Sequence, residues 1–301
     1  MTQPQRIDSA YVEQELDLMV PELIGEAYPD RTYPMVFPVE PGLSPGIQSV
    51  TYRFSKAVGQ AKIVEAGSRE VPLVDIDVIP VTVPVKVIRL GLEYDTEDVR
   101  AGQLTGRPLD RDKMVVVLEG HEAKIDQTAW VGDSRSGIFG IISHPNVLRL
   151  VTSTTFDSAS TPANILAALN LLVQKQIALT NGIERPNTLA LSHEEFQYIS
   201  STPYSSTGSG DTRTILEVFK AGNPGVDQVF GVHWLAGAGV GSTNVCVAFN
   251  RARQKLGHLL AMVPTRNPIS FSGVVYSAVY ESKTGGIQVK KPYSVIVMEG
   301  I

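Results

Sequence analysis

Gly132-Asp133-Ser134-Arg135-Ser136-Gly137-Ile138-Phe139-Gly140 reads GDSRSGIFG, and two readings compete for it. A serine among small residues, beside an acid, has the appearance of a hydrolase nucleophile. The same letters describe a helix that stops at a glycine and passes into a turn. A nucleophile elbow requires G-x-S-x-G on a sharp turn from a strand into a helix. Here Ser136 stands where the second glycine belongs, and the segment before Gly132 has helical rather than strand character. The stretch is therefore a helix exit, and what flanks it decides the fold class.

The preceding segment, Leu109 to Trp130, has the clearest helical pattern in the chain. Met114, Leu118, His121, Ile125 and Ala129 form one stripe at spacings of three and four. Pro108 sits near the start, and Asp110 and Asp112 place negative charge in the first turn, where it suits the helix dipole. Such a helix is about 33 Å long at 1.5 Å per residue. A shorter helix opens at Asp95-Thr96-Glu97-Asp98 and fades near Gly102.

Upstream lies a long ribbon. Ser49 to Ser55 alternates polar and apolar with period two, as do Val74 to Val78 and Val81 to Val87. Val50, Tyr52 and Phe54 are expected to pair with Val74, Ile76 and Val78. Pro80 and Pro84 make this an edge or an isolated ribbon. The tip, Lys56 to Glu70, is polar. A hairpin of this kind is only marginally stable alone and needs something to lie on. Before it, Pro29, Pro34, Pro38, Pro41 and Pro45 keep the chain extended as an arm and exclude helix and central strand. A short amphipathic run from Tyr11 to Leu23 is broken at Pro21.

Downstream, Thr161-Pro162 caps a second helix with a face of Leu166, Leu169, Val173 and Ile177, ending at Asn181-Gly182. Thr188 to Leu191 is a strand, and Ser192-His193-Glu194-Glu195 is a capping box. Residues 201–213 form a polar loop, and Ile215 to Lys220 is helical. Strands follow at Gln228 to Leu235, Val245 to Phe249, Leu259 to Val263, Gly273 to Tyr280 and Ile287 to Val297. A ribbon, a long helix, a mixed middle and a strand-rich end make an α+β fold rather than a doubly wound sheet.

Chemistry finds little foothold. Gly237-Ala238-Gly239-Val240-Gly241-Ser242 resembles a phosphate cradle, but the residues after it read as a strand, and no lysine stands at the Walker position. His121, His144, His193, His233 and His258 form no metal-ligand spacing. Cys246, the single cysteine, sits in an apolar strand, excludes an intrachain disulfide and is expected to be buried and inert. No catalytic residue, cofactor site or metal site is assigned. The start of the chain lacks a secretory pattern, and no apolar run is long enough to span a membrane.

The 301 residues carry a formal net charge of −5, unlike a protein whose main work is gripping phosphates. The charge is uneven. Residues 1–30 carry seven acids against Arg6, and residues 251–301 carry seven bases against Glu281 and Glu299. Either these are two solvated surfaces, or the tail of one subunit faces the arm of another.

Three stretches, Arg107-Pro108-Leu109-Asp110, Gly132-Asp133 to Gly140-Ile141-Ile142, and Gly285-Gly286-Ile287-Gln288-Val289-Lys290-Lys291-Pro292, stand at the joints of this order of elements. With them the chain resembles, over nearly its whole length, the tailed-phage major capsid proteins of the Hong Kong 97-like fold, which encapsulin shell proteins share. The resemblance implies an N-terminal arm (1–47) and an extended β-hairpin loop (48–90). It implies a peripheral domain with a spine helix (91–158), an axial domain (159–250) and C-terminal strands returning to the peripheral domain (251–301). Residues 49–78 would lie across a neighbouring subunit.

The function so implied is structural. Subunits would form pentamers and hexamers in an icosahedral head that encloses double-stranded DNA without sequence-specific binding. Assembly would take place in the bacterial host cytoplasm, with a portal, and no membrane would be involved. The hairpin begins near residue 49, which leaves no room for a long scaffolding segment, so a separate scaffold, or none, is implied. Lys56, Lys62, Glu65 and Arg69 at the loop tip would touch the neighbour. Some members join a loop lysine to a neighbour's asparagine; Lys56 and Lys62 hold that place by position only. An encapsulin-type compartment with protein cargo is the alternative within the fold. A hydrolase or nucleotide-binding enzyme built on a glycine-rich turn is the alternative outside it.

Overall fold

The computed structural model describes residues 31–58, 63, 75–105, 111–205, 212–291 and 293–301. The first elements are helix α1 (Tyr33–Val36), strands β1 (Ser49–Val58), β2 (Asp75–Pro84) and β3 (Lys86–Asp95), and helices α2 (Thr96–Thr105) and α3 (Arg111–Trp130). Strands β4 (Gly132–Asp133), β5 (Ile138–Phe139) and β6 (Leu148–Val151), helix α4 (Pro162–Leu179), strand β7 (Thr188–Leu191) and helices α5 (His193–Ser201) and α6 (Ile215–Gly222) follow. The chain closes with strands β8 (Gln228–Gly231), β9 (Val245–Phe249), β10 (Leu256–Arg266), β11 (Ser270–Ser272), β12 (Val275–Val289) and β13 (Val295–Glu299).

Helix α3 serves two sheets. Its first half lies on an antiparallel sheet in which β12 pairs with β3 on one side and with β10 and β11 on the other. Val117 is buried there with Leu92, Tyr94, Tyr276, Ala278 and Tyr280. Its last turns, with Ile125, Ala129 and Trp130, enter a second core beneath a five-stranded sheet of order β6-β13-β9-β7-β8. The expected start of this helix at Leu109, with Pro108 and Asp110, lies outside the described residues.

The three central strands of the five-stranded sheet, β13, β9 and β7, are buried on both faces, so they are nearly all apolar. Alternation still sorts them. Val245, Val247, Phe249, Val295 and Val297 face Trp130 and Phe37. Cys246, Ala248, Ile296 and Met298 face α4, α5 and α6 through Leu169, Leu172, Ile199 and Phe219. The caps are those expected: Thr161 accepts from Asn164 N at 3.3 Å, and Ser192 and Glu195 close a capping box. Helix α6 carries a second box, Thr214 with Glu217.

GDSRSGIFG is the exit of α3. Gly132 (φ 83°), in β4, and Gly140, just past β5, lie back to back. A Cβ on Gly140 would overlap the backbone of Trp130 and Gly132. Gly286 (φ 71°) lies against the carbonyl of Phe139 in the same way. Two of the stretches that carried the resemblance are thus one backbone-to-backbone contact, open only to glycine.

Four expectations are corrected. In the ribbon, Val50 pairs with Val83, Tyr52 with Val81 and Phe54 with Ile79, rather than with Val74, Ile76 and Val78. Strand β2 runs on through Pro80 to Pro84, because each ribbon strand has an unpaired edge where a missing N–H costs no ladder bond. Residues 86–95 are a separate strand paired with β12, so the strand expected from Val81 to Val87 is divided at Val85. Gln228 to Leu235 is a strand only to Gly231, and His233–Leu235 is a 3₁₀ turn. The strands expected at Gly273 to Tyr280 and Ile287 to Val297 are divided differently: β12 runs unbroken to Val289, and β13 starts at Val295.

The arm also differs from its expected form. Pro34 occupies the first turn of α1, where its missing N–H is no loss. Tyr33, Val36 and Phe37 are buried in the subunit's own core. Asp126 on α3 holds this strap. Its Oδ1 accepts from Tyr33 N at 2.7 Å, Thr32 Oγ1 at 3.0 Å and Thr32 N at 3.2 Å, and its Oδ2 accepts from Trp234 Nε1 at 2.7 Å. Trp130 Nε1 donates to Thr32 Oγ1 at 2.7 Å. Both tryptophans of the chain therefore point into one node. Burial raises the Asp126 pKa, against the pull of these donors.

Asp126→Ala leaves several buried donors without an acceptor and is expected to cost about 3 kcal/mol or more, read by urea unfolding of unassembled subunits. Trp234→Phe is expected to cost about 1 kcal/mol in the wild type and far less beside Asp126→Ala, because the two changes break one bond. Full additivity would show that the node does not act as a unit.

His258 is fully buried, edge-on to Tyr33 with ring centroids 5.2 Å apart, and its Nε2 lies 3.3 Å from Thr284 Oγ1. Burial lowers its pKa from 6.5 to about 4. The unfolded chain therefore takes up a proton that the folded chain refuses. The stability this gives is complete above about pH 6.5 and is lost as pH falls toward 4. Wild-type subunits are expected to lose stability from pH 7 to pH 5 more steeply than His258→Gln. Parallel slopes in a denaturant series would sink the assignment.

Candidate assembly surface

β1 and β2 form a two-stranded sheet that no third strand joins among the described residues. Its base is tied to the body. Val83 and Val85 are buried, Val85 N donates to Gln48 O at 2.8 Å, and Tyr52 Oη lies 3.5 Å from Val289 O. Gly285 lets β12 approach the ribbon base, since a Cβ there would press on Leu259 and the carbonyl of Pro84. Farther out Arg53 and Pro80 are exposed, Val78 is 47% exposed, and Ile63 is wholly exposed. A ribbon with a fixed base and uncovered apolar side chains is a contact element without its partner.

Of the residues assigned to the loop tip, Lys56 lies in β1 opposite Asp77. Lys62, Glu65 and Arg69 fall outside the described residues, as do residues 1–30 with the run from Tyr11 to Leu23.

Several bases of the C-terminal segment are engaged within the subunit. Lys290 pairs with Glu40 of the strap and Lys255 with Glu184 at 2.5 Å, while the segment's acid Glu281 pairs with Arg89 of β3 at 2.6 Å. Arg149 pairs with Glu299 and donates to Ile142 O at 2.7 Å, joining β6, β13 and the loop after α3. Sequence reasoning missed Asp126, Thr32, Arg149 and Glu299. The one usable signal was that a chain with two tryptophans keeps both next to short polar loops.

The rejected chemistries look no better in three dimensions. Ser134 is an exposed turn residue whose carbonyl accepts from Gly137 N at 3.3 Å. Its neighbour Asp133 accepts from Ser136 Oγ at 2.8 Å, which lowers its pKa. In the glycine-rich loop, Gly237 N donates to Asn244 Oδ1 at 2.9 Å, Gly239 N to Thr243 O at 2.8 Å and Val240 N to Glu299 Oε2 at 3.4 Å. Those N–H groups are used internally, and β9 rather than a helix follows. His121 is buried with its Nδ1 3.0 Å from Ser282 Oγ, and burial lowers its pKa. Cys246 is buried, and desolvation raises its pKa. Among the described residues no three His, Cys, Asp or Glu side chains are placed to hold a metal ion, and no helix is long and apolar enough to cross a membrane.

The whole architecture has counterparts. The capsid protein of Myoviridae phage XM1 superposes with a TM-score of 0.79 at 15% identity, covering 96% of this chain and 98% of that one. The virus-like particle from Pyrococcus furiosus gives 0.61 at 13% identity, covering 98% and 99%. Mycobacterium phage Ogopogo gives 0.61 at 14% identity, covering 95% and 98%. No curated protein sequence matches. At these identities the likeness establishes the Hong Kong 97-like fold. The family rests on the sequence itself, since residues 59–301 match the family model described as major capsid protein. With that match over most of its length, the chain belongs to the major capsid protein family, whose members are structural subunits of capsids.

Proposed function

We propose that the chain builds a closed icosahedral shell of pentamers and hexamers around double-stranded DNA, assembled in the bacterial host cytoplasm with a portal and a separate scaffold. The observation that carries this reading is the ribbon, whose base is buried in its own subunit and whose outer part has nothing to lie on. A neighbouring copy supplies the missing surface, and Lys56, Lys62, Glu65 and Arg69 are the tip residues that meet it. The helices over the five-stranded sheet form the axial domain around capsomer centres, and the β3–β12–β10 sheet with α3 forms the peripheral domain. The net charge of −5 suits a wall that surrounds DNA without gripping it. The likeness to the Pyrococcus furiosus particle supports a second reading, a shell around protein cargo.

Electron micrographs of the purified chain, with a scaffold supplied, are expected to show closed shells or capsomers. A monodisperse monomer at high concentration under several salt conditions would count against the reading. Nuclease-protected DNA in shells from infected cells separates a phage head from a cargo compartment.

Deleting residues 57–69 and bridging the gap with a short turn is expected to leave subunit unfolding nearly unchanged, because the buried base at Val83 and Val85 survives. Shell yield by sedimentation is expected to fall steeply, since closed symmetry repeats one lost contact at every subunit. Normal shells from the deleted chain would remove the tip from assembly.

A further inference from the structure

Three loops meet at one end of the five-stranded sheet: the approach to β7, the link from β9 to β10 and the link from β12 to β13. Asn250 Nδ2 donates to Arg185 O at 2.9 Å, and Asn250 N donates to Ser294 O at 3.1 Å. Arg251 N donates to Asn187 Oδ1 at 2.8 Å, and Lys290 Nζ donates to Arg253 O at 2.9 Å. One surface therefore carries Arg185, Arg251, Arg253 and Lys291. The carboxylates beside it are Glu184, paired with Lys255, Glu40, paired with Lys290, and the exposed Asp227. Arg185, Arg253 and Lys291 are exposed, and no carboxylate among the described residues lies within ion-pair distance of them. Arg251 is turned onto a neutral partner, Gln228 Oε1, at 2.7 Å. On a chain of net charge −5, this is a local positive excess that the fold does not neutralise.

Tyr293, in the same turn as Lys291, has an unusual backbone. Its φ of 64° lies in the left-handed region, which a bulky side chain ordinarily avoids. The turn is fastened on both sides. Ser294 N and Ser294 Oγ donate to Lys291 O at 3.2 and 2.8 Å, and the buried Gln176 of α4 donates Nε2 to Tyr293 O at 2.9 Å. The side chain is nonetheless 48% exposed, so packing of the ring does not offset the strain. Strain kept at an exposed aromatic residue is a mark of a contact site rather than of a core. Its effect is to present a phenol beside one ammonium and three guanidinium groups.

We infer that this end of the sheet contacts the sugar–phosphate backbone of packaged double-stranded DNA through Arg185, Arg251, Arg253, Lys291 and Tyr293. The inference rests on the capsid reading, which supplies the polyanion. Guanidinium forks match pairs of phosphate oxygens, while lysine and the tyrosine hydroxyl add single donors. Contacts of this kind carry no sequence information, as a container for any stretch of a genome requires. The acidic remainder of the subunit repels DNA, so contact is confined to one small patch per copy and the packaged molecule stays free to move.

Binding of a short mixed-sequence DNA duplex to unassembled subunits, followed by fluorescence anisotropy over a salt series, tests this. Arg185→Ala/Arg253→Ala/Lys291→Ala is expected to lower affinity at least about tenfold at low salt and to flatten the slope of log K against log salt by about 3. Arg53→Ala/Lys124→Ala/Arg135→Ala removes the same charge from exposed positions elsewhere and is expected to leave both near the wild type. Equal losses from the two triple variants would reduce the effect to net charge and overturn the inference. Tyr293→Gly relaxes the turn, so it is expected to raise the unfolding temperature while weakening binding several-fold. A stabilised variant that binds the duplex as well as the wild type would count against the contact. Polyglutamate of matched charge is expected to compete weakly, and competition equal to that of the duplex would give the surface to an acidic protein instead. In assembled shells, acetylation of Lys291 is expected to be several-fold slower in DNA-filled particles than in empty ones. Equal labelling sinks this inference and leaves the capsid reading intact, whereas a wild type that never forms shells sinks both.

Discussion

A buried carboxylate on a helix is expensive unless donors surround it, and Asp126 is surrounded. It accepts from the backbone and hydroxyl of Thr32, the backbone of Tyr33 and the indole of Trp234. Those donors come from the strap, while the indole comes from the turn after β8, and the carboxylate itself sits on α3. Three segments more than ninety residues apart in sequence are thereby held in one register. Apolar packing alone would let α3 slide on either sheet by a fraction of a turn. A fan of directional bonds to one carboxylate does not. The aromatic contacts of Phe37 with Trp130 and Phe249, at centroid distances of 4.7 and 5.8 Å, then pack around a fixed point.

With the node in place the body is saturated. The central strands of the five-stranded sheet are covered on both faces, and the β3–β12–β10 sheet has α2 and α3 on one of its faces. Among the described residues the ribbon is the two-stranded sheet with no helix packed on it. A two-stranded sheet cannot be stable on its own account, so its base borrows burial from β10 and β12 at Leu259 and Gly285. The firm base fixes the direction in which the free end projects. A subunit that must meet identical neighbours at set angles needs that division between a rigid body and one projecting contact element.

Local chemistry was legible in the sequence, and long-range geometry was not. The caps at Thr161 and Ser192, the end of α3 at Gly132 and the buried strand Val245 to Phe249 depend on residues within a few positions of each other, and each stands where it was read. The ribbon was legible as a ribbon, but the apolar phase of the sequence changes at Pro80, from Val74, Ile76 and Val78 to Val81 and Val83, and alternation does not say which set pairs with Val50, Tyr52 and Phe54. Gly285-Gly286 looked like a break between two strands. In fact β12 passes through it, because both glycines sit where another backbone approaches too closely for a side chain. The strap was read as an uncovered arm because its prolines dominate the local signal. Tyr33, Val36 and Phe37 are buried by residues distant in sequence, and nothing near them announces it. Asp126 was the least legible of all, since a lone acid in a helix ordinarily faces water.

The same division explains how one fold can be built from very different side chains. Counterparts at 13–15% identity superpose over nearly the whole chain. An active site needs named atoms at set distances, so its residues cannot drift. A shell subunit needs a rigid body and a projecting edge, and many side-chain sets supply those. What cannot drift is backbone proximity. Gly132, Gly140 and Gly286 lock the exit of α3 against β12 with no side chain between them. At that joint β12, the end of α3 and the loop toward the five-stranded sheet share one backbone contact, so a single methyl group there would shift α3 and its exit against β12. A small rotation within one subunit becomes a change of curvature when copied around a closed shell. The glycines of GDSRSGIFG therefore do for this protein what a nucleophile does for an enzyme: they hold the geometry on which function depends, and they do so by the absence of a side chain.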